Sequence, residues 1–317
     1  MTSTSDVLSG KPSSFERRFS RFFSMSFRRR EYLFSLLALV PALILYVLFT
    51  YYPLFQSIVY SLTDWNGYSK TFNFVGIENF LTVFREPETW QAFGNTFYFA
   101  IVSIGIGFPL QLFLALILSG KFRGRSVARA TIYIPSLFNS VIVALTWTAL
   151  LQFTGVFNEF FRAIGLTPFV LNWLGDVRLV KNALVLINLW QYTGIGMVIL
   201  LAGITSIPSE ILESARLDGA TGWTLVRHIT IPLIMPAITV NLLIGITGGL
   251  RLLELPLIMT GGGPRNASET VMMNIYNNAF SYERYGVASA MGLLFFVVIG
   301  SITGVQLFLT RRNEVQY

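Results

Sequence analysis

Two ionisable residues, Arg251 and Glu254, interrupt a long apolar segment of this 317-residue chain. A charge in the centre of a membrane costs roughly 3 kcal/mol or more, so such residues are kept mainly where they are paired or functional. Because they are three residues apart, the sequence predicts that they share one helix face and neutralise each other. The alternative is that they line a path for a polar substrate.

Amide side chains are the commoner polar groups in or beside the apolar segments: Asn95, Gln111, Asn139, Gln152, Asn188, Gln191 and Asn241. Taken singly, each is explained by a hydrogen bond between helices. Together with the rings of Trp190 and Tyr192, they are groups that a sugar site uses, because amides pair with hydroxyls and a flat ring covers the apolar sugar face.

The residue types exclude several kinds of chemistry. The chain has one histidine and no cysteine, so neither a two-histidine zinc motif nor a Cys-His pair can occur. It contains no G-x-x-x-x-G-K-[ST] loop, so any ATP that drives it must bind, with Mg²⁺, to another chain. We therefore expect a chain that is not an enzyme and that carries no cofactor or metal.

The composition predicts an all-α integral membrane protein. Hydrophobic residues make up 53% of the chain and charged residues 12%, against about 25% charged in soluble domains. Six apolar runs are long enough to cross a membrane as helices, at 33–58, 94–119, 128–151, 183–205, 236–259 and 287–309. The segments between them are too short for a soluble domain. We predict one membrane domain, residues 32–311, between segments 1–31 and 312–317.

The distribution of positive charge predicts the orientation. Lys and Arg number 15 in segments 1–31, 120–130, 206–235 and 311–317, and 7 in the alternate segments. Because positively charged loops stay on the cytoplasmic side, we predict a multi-pass cell-membrane protein with both termini and the 206–235 loop in the cytoplasm. The net charge of +7 then reflects topology, and no nucleic-acid partner is expected.

The N-terminal segment supports two interpretations. Residues 1–14 are rich in Ser, Thr, Gly and Pro and are predicted to be disordered. Phe15, Phe19, Phe22 and Phe23 then recur at helical spacing among arginines. This pattern predicts either a helix in the membrane interface that contacts lipid or a basic tail that only sets topology.

The 206–235 loop has a helical pattern of its own. The stretch SEILESARLDGA (209–220) follows Pro208, with Ser209 as a predicted cap and Gly219 as a predicted exit. Leu212, Ala215 and Gly219 recur at helical spacing, which predicts a face of mostly small residues on which a partner can sit. The alternative is a connector held against the protein's own helices.

The same stretch resembles the signature loop of the permease subunits of binding-protein-dependent ABC importers, E-A-A, three residues, G, nine residues, I-x-L-P. The matching residues are Glu213, Ser214, Ala215, Gly219, Ile229, Ile231 and Pro232, with Ser for Ala at 214 and Ile for Leu at 231. The stretches 41–65, 74–80, 95–100 and 257–270 are similar to the carbohydrate branch, the maltose and glycerol-phosphate type permeases.

This resemblance implies a six-helix type I importer permease fold with a cytoplasmic coupling helix. It implies one second, homologous permease, two ATP-binding subunits and an extracytoplasmic solute-binding protein as partners. The residues expected to couple to the ATPase are Glu213, Ser214, Ala215, Arg216, Asp218 and Gly219. The residues expected on the path of a mono- or oligosaccharide are Asn188, Gln191, Tyr192, Arg251 and Glu254.

The resemblance leaves the substrate open. Asn188 matches an amide that contacts sugar in the maltose members, but the family's paired asparagines fall on Gly249 and Leu252 here. An alternative substrate is glycerol-3-phosphate or another polyol, since Arg251 could pair with an anion. Alternatives from other classes are a secondary carrier or channel and a scaffold subunit.

Overall fold

The computed structural model describes residues 27–311, with side chains from residue 34 to residue 310. The predicted interfacial helix around Phe15–Phe23 and the tail 312–317 lie outside the described residues. The described residues fall into two compact units, divided between Ser57 and Ile58, which are described separately.

The described residues are helical almost throughout, apart from one antiparallel bridge between Thr63 and Phe74. The α-helices are α1 (Phe27–Tyr46), α2 (Tyr52–Tyr60), α3 (Glu78–Arg85), α4 (Pro87–Ser119), α5 (Arg125–Tyr133), α6 (Ser140–Leu151), α7 (Val156–Ala163), α8 (Val180–Thr205), α9 (Ser209–Leu217), α10 (Gly222–Leu225), α11 (Ile231–Leu233), α12 (Met235–Leu250), α13 (Glu254–Thr260), α14 (Val271–Tyr276) and α15 (Tyr285–Arg311). Short 3-10 turns cover Ile134–Leu137 and Thr167–Phe169, and π turns cover Val47–Tyr51, Val226–Thr230 and Asn277–Ser281.

Six helical stretches in the described part are long and apolar enough to cross a membrane, which confirms the predicted fold class. They are Phe34–Tyr60, Pro87–Ser119, Ser140–Ala163, Val180–Thr205, Met235–Thr260 and Tyr285–Thr310. In the first unit, the apolar side chains of α1 and the following π turn are exposed, as at Phe34 and Phe49. Such exposure is what lipid contact requires.

The third predicted helix, 128–151, is not continuous. It ends at Tyr133, passes through a 3-10 turn that contains Pro135, and starts again at Ser140. Proline has no N–H to donate, and the Asn139 side chain caps the new helix by accepting a hydrogen bond from the Val141 amide at 2.8 Å. Asn139 is therefore a cap and not a group available to a substrate.

The fifth predicted helix, 236–259, is also broken, between α12 and α13. In an intact helix the Leu252 carbonyl would accept a hydrogen bond from residue 256. Residue 256 is proline, which has no N–H and whose ring clashes with that carbonyl, so the helix does not continue through Leu252. The Thr270 hydroxyl donates to this carbonyl at 2.7 Å instead. The break is thus built into the fold by one proline and one distant side chain.

The second unit packs around three clusters of buried apolar side chains. Small residues bring α8 close to its neighbours: a Cβ added at Gly194 would lie 2.4 Å from the Ile132 carbonyl oxygen, and one at Gly203 would lie 2.7 Å from Ala237 Cβ. Close backbone approach through small residues is how membrane helices gain van der Waals contact. The third cluster includes Leu118, Ile204 and Ile234, so these ends of α4, α8 and the start of α12 meet at one end of the bundle.

Candidate functional site

A cavity of about 270 Å³ opens between α4, α8, α12 and α13. The polar residues that line it are Gln111, Asn188, Tyr192, Asn241, Arg251 and Glu254. Asn188 lies eight residues after the start of α8, and Glu254 lies six residues before the end of α13. At a rise of 1.5 Å per residue, each residue is about 10 Å along its helix from that helix end. The cavity therefore reaches well inside the span of the helices.

Two of the cavity amides hold the wall together. Asn241 Nδ2 donates to Gln111 Oε1 at 2.9 Å, which links α12 to α4. Gly196 on α8 makes room for this pair, since a Cβ there would lie 2.2 Å from the Gln111 carboxamide. Gln111 and Asn241 were among the amides noted in the sequence, but nothing in their spacing indicated that they pair.

Asn188 is the cavity amide that remains available. Its side chain is partly exposed in the cavity and makes no hydrogen bond to any described residue. One donor group and one acceptor oxygen thus face the cavity, as a ligand with hydroxyls requires.

Tyr192 and Gln191 have different roles. The Tyr192 hydroxyl lies 2.7 Å from Ser140 Oγ, and its ring lines the cavity. Gln191 is 1% exposed and donates to the Phe138 carbonyl at 3.0 Å, so it ties α8 to the segment before α6 and does not line the cavity. This cavity therefore does not include Gln191, and its place on the substrate path stays a prediction. Trp190 packs edge-on against Trp147 and is also absent from the cavity lining.

Arg251 and Glu254 both line the cavity, but they do not form the predicted pair. The three ion pairs of the described residues involve neither of them. The reason is the helix break: Arg251 follows the last residue of α12, and Glu254 is the first residue of α13. The two side chains consequently do not share a helix face.

Other polar groups noted in the sequence have structural roles. Asn95 Nδ2 donates to the carbonyls of Asn266 and Glu269, both at 2.9 Å, and so ties α4 to the 261–284 loop. Sequence reasoning missed Glu269, which is 6% exposed and accepts hydrogen bonds from Asn274 at 3.1 Å and Asn277 at 3.3 Å. Burial raises the pKa of this carboxyl above its usual value, although the two amides act against the shift.

The predicted short helix in the 206–235 loop is present as α9. Two backbone hydrogen bonds close its C-terminus. The Gly219 amide donates to the Arg216 carbonyl at 3.1 Å, and the Ala220 amide donates to the Ala215 carbonyl at 2.9 Å. Gly219 has φ +88°, as the glycine of such a C-terminal motif must. The predicted cap at Ser209 is wrong, because the cap position is Pro208 and no side chain caps the helix.

The exposed face of α9 is not the predicted one. Ala215 is only 8% exposed, and Leu212 packs on the cluster at the ends of α4, α8 and α12. The exposed residues of α9 and of the two positions after it are Ser209, Glu210, Glu213, Ser214, Arg216, Leu217, Asp218 and Gly219. The helix is held by one face and presents a mixed charged and apolar face, on which Leu217 is 89% exposed.

These elements define a helical membrane protein with an internal polar cavity and a short helix docked across the ends of the helices that line it. The fold is that of ABC importer permeases. The model of the binding-protein-dependent transport system inner membrane component family matches residues 107–315, so the chain belongs to this family.

Curated relatives match over nearly their full length. The probable starch degradation products transport system permease protein AmyD of Thermoanaerobacterium thermosulfurigenes is 32% identical, over 88% of this chain and 94% of its own. The trehalose/maltose transport system permease protein MalF of Thermococcus litoralis is also 32% identical over 88% and 94%. The multiple sugar-binding transport system permease protein MsmF of Streptococcus mutans is 31% identical, over 87% and 95%.

Solved structures agree with this assignment. A bacterial ABC transporter involved in the import of the acidic polysaccharide alginate matches with a TM-score of 0.76 and 27% identity, over 94% of this chain and 99% of that one. A bacterial alginate ABC transporter in complex with a periplasmic protein that holds an alginate pentasaccharide matches with the same score and 28% identity, over 90% and 96%.

Proposed function

We propose that this chain is a permease subunit of an ATP-driven, binding-protein-dependent importer of saccharides, and that it forms half of the translocation path. The observation that carries the proposal is the cavity, in which Asn188 and Tyr192 offer hydrogen-bonding groups and a ring to a polar ligand. With a volume of about 270 Å³ it lies just below the usual range for ligand sites, which start near 300 Å³. A second, homologous permease facing it would complete the site.

The substrate proposal rests on the relatives and on the charge of the cavity. The names of curated relatives specify starch degradation products, multiple sugars, trehalose or maltose, lactose and diacetylchitobiose. Glycerol-3-phosphate is disfavoured, because the positive charge of Arg251 is accompanied in the same cavity by the negative charge of Glu254. We therefore propose a saccharide, and the relatives support an oligosaccharide.

Coupling to ATP hydrolysis is assigned to α9. In this proposal two ATP-binding subunits bind ATP with Mg²⁺, and one of them holds the exposed face of α9 formed by Glu213, Ser214, Arg216, Asp218 and Gly219. Ala215 supports this face from below, because it is buried against the chain's own helices. The shared apolar cluster of Leu212 with Ile204 and Ile234 would carry movement of α9 to the helices that line the cavity.

The remaining partners follow from the same proposal. An extracytoplasmic solute-binding protein would deliver the saccharide at the end of the bundle that carries the 261–284 loop. The chain would cross the cell membrane six times, in contact with lipid, with both termini and α9 in the cytoplasm. The excess of Lys and Arg in those segments supports this orientation.

Uptake into proteoliposomes tests the function. With the complete importer, we expect uptake of a saccharide that requires ATP inside and the solute-binding protein outside, and that persists with an uncoupler. Uptake driven by an ion gradient without ATP would instead support a secondary carrier.

Variants of α9 test the coupling. Glu213→Lys reverses the charge of an exposed residue, so the chain should still insert but co-purify poorly with the ATP-binding subunits. Glu88→Lys is the matched control, because Glu88 is exposed at the start of α4, makes no ion pair among the described residues and lies far along the chain from α9. Equal co-purification of the two variants would count against the role of α9.

A further inference from the structure

Arg251 and Glu254 are held apart by the fold, and this separation has consequences for the ligand. Pro256 keeps α12 and α13 from joining, and Thr270 occupies the carbonyl that the break exposes at Leu252. A continuous helix would have placed the two charges one turn apart, where they could pair. In the broken helix they lie in the cavity without an ion-pair partner among the described residues.

Each charge is compensated by the helix end on which it lies. Arg251 follows the C-terminus of α12, where the helix dipole favours a cation, and Glu254 is in the first turn of α13, where it favours an anion. Neither side chain therefore needs the other for its stabilisation. Both remain able to bind a ligand, Arg251 only as a donor and Glu254 only as an acceptor.

The cavity consequently has no net formal charge. Arg251 and Glu254 are the only formally charged residues among the described residues that line it, and Asn188 adds an uncharged donor and acceptor. A neutral saccharide satisfies all three groups, because each hydroxyl can both donate and accept. An acidic saccharide gains attraction to Arg251 but meets repulsion from Glu254, and its carboxylate must also lose water.

We propose that Arg251 and Glu254 are specificity residues that bind hydroxyls and make this cavity select neutral over acidic saccharides, with Glu254 as the residue that rejects the acid. This inference rests on the proposed transport of saccharides. It concerns the permease cavity itself, apart from any selection by the solute-binding protein.

Saturation-transfer difference NMR on the assembled importer in nanodiscs, without the solute-binding protein, measures this selection at low affinity. The probes are maltose, trehalose and lactose, each beside the analogue in which one C6 hydroxymethyl is oxidised to a carboxylate. The wild-type importer should give the stronger signal with the neutral sugars. Glu254→Gln removes one nearby negative charge and should raise the relative occupancy by the carboxylate analogue on the order of tenfold. Arg251→Gln should lower the relative occupancy by the carboxylate analogue below the wild-type value.

Glu88→Gln is the matched control, since this carboxylate is exposed in the first turn of α4, has no ion-pair partner among the described residues and does not line the cavity. It should leave the ratio of neutral to acidic signal unchanged. An unchanged ratio in Glu254→Gln, or a stronger acidic signal in the wild type, overturns the inference even when ATP-driven uptake is intact. If none of the probes gives a signal, saccharide binding in this cavity is overturned. If the wild-type importer shows no ATP-driven uptake, the proposed function itself is overturned.

Discussion

The cavity and the 261–284 loop each contain a carboxylate and several amides, but only in the loop is the carboxylate paired with amides. Glu269 accepts hydrogen bonds from two asparagines, and Thr270 donates to the Leu252 carbonyl. In the cavity, Asn188 and Glu254 have no hydrogen-bond partner among the described residues. Buried polar groups that are satisfied make a structure rigid, whereas those left open to a cavity are available to a ligand. The comparison separates residues that hold the protein together from residues that bind.

Replacing each of the two carboxylates, Glu269 and Glu254, with alanine should give the largest difference in stability. Glu269→Ala leaves the buried amide of Asn274 and the half-buried amide of Asn277 without their acceptor and should cost about 3 kcal/mol of stability. Glu254→Ala should change stability by about 0.5 kcal/mol or less, because that side chain is exposed and unpaired, yet it should weaken saccharide binding. Thermal unfolding of the purified importer measures both changes in stability. Equal losses of stability would contradict the distinction between the paired carboxylate of the loop and the open carboxylate of the cavity.

Two cavity glycines provide the next test. Gly196→Ala brings a Cβ to 2.2 Å from the Gln111 carboxamide and should cost about 2 kcal/mol by breaking the Gln111–Asn241 hydrogen bond. Gly248→Ala is the matched control, because its added Cβ meets no atom within 4 Å. The thermal midpoint should fall only for Gly196→Ala. A fall of equal size for Gly248→Ala, against the higher helix propensity of alanine, would show that contact with the partner subunit dominates.

Thr270→Val tests the helix break from the side of the loop. The change keeps the shape of the side chain but leaves the Leu252 carbonyl without its donor and removes the cap that the Thr270 hydroxyl gives to the Met273 amide of α14. We therefore expect a loss of about 2 kcal/mol, to which both hydrogen bonds contribute. Because the break also positions Arg251 and Glu254, saccharide occupancy should fall together with stability. Unchanged saccharide binding in a destabilised Thr270→Val importer would show that the Thr270 hydrogen bond does not position the cavity residues.

The smallest effect should be the pH dependence that comes from Glu269. Burial raises the pKa of this carboxyl in the folded protein above 4.5, so the folded state holds the proton more tightly than the unfolded state. The stability contributed by this proton is fully present below pH 4.5 and is lost as the pH rises through the folded-state pKa. Glu269→Gln should remove this part of the pH dependence of the thermal midpoint, and an unchanged pH profile in this variant would contradict the assignment.

Much of the fold could be predicted from local pattern. The six spans, the existence of α9 and its exit at Gly219 were predicted correctly, because hydropathy and glycine conformation are local properties. The third and fifth spans, which are the least uniform of the six apolar runs, are interrupted inside, at the turn that contains Pro135 and between α12 and α13. The cap at Ser209 and the small-residue docking face were wrong, since the packing of α9 on its neighbours decides which face is exposed.

The candidate site was predicted only as a set of residue types. The sequence by itself determined that the chain spans a membrane and that amides, one cation and one anion lie within its apolar segments, since composition and periodicity are enough for that. Tertiary structure decided that Asn188 faces the cavity while Gln191 binds the Phe138 carbonyl. It also decided that Arg251 and Glu254 do not pair, because the break between them depends on a hydrogen bond from Thr270, a residue distant in the chain, to Leu252.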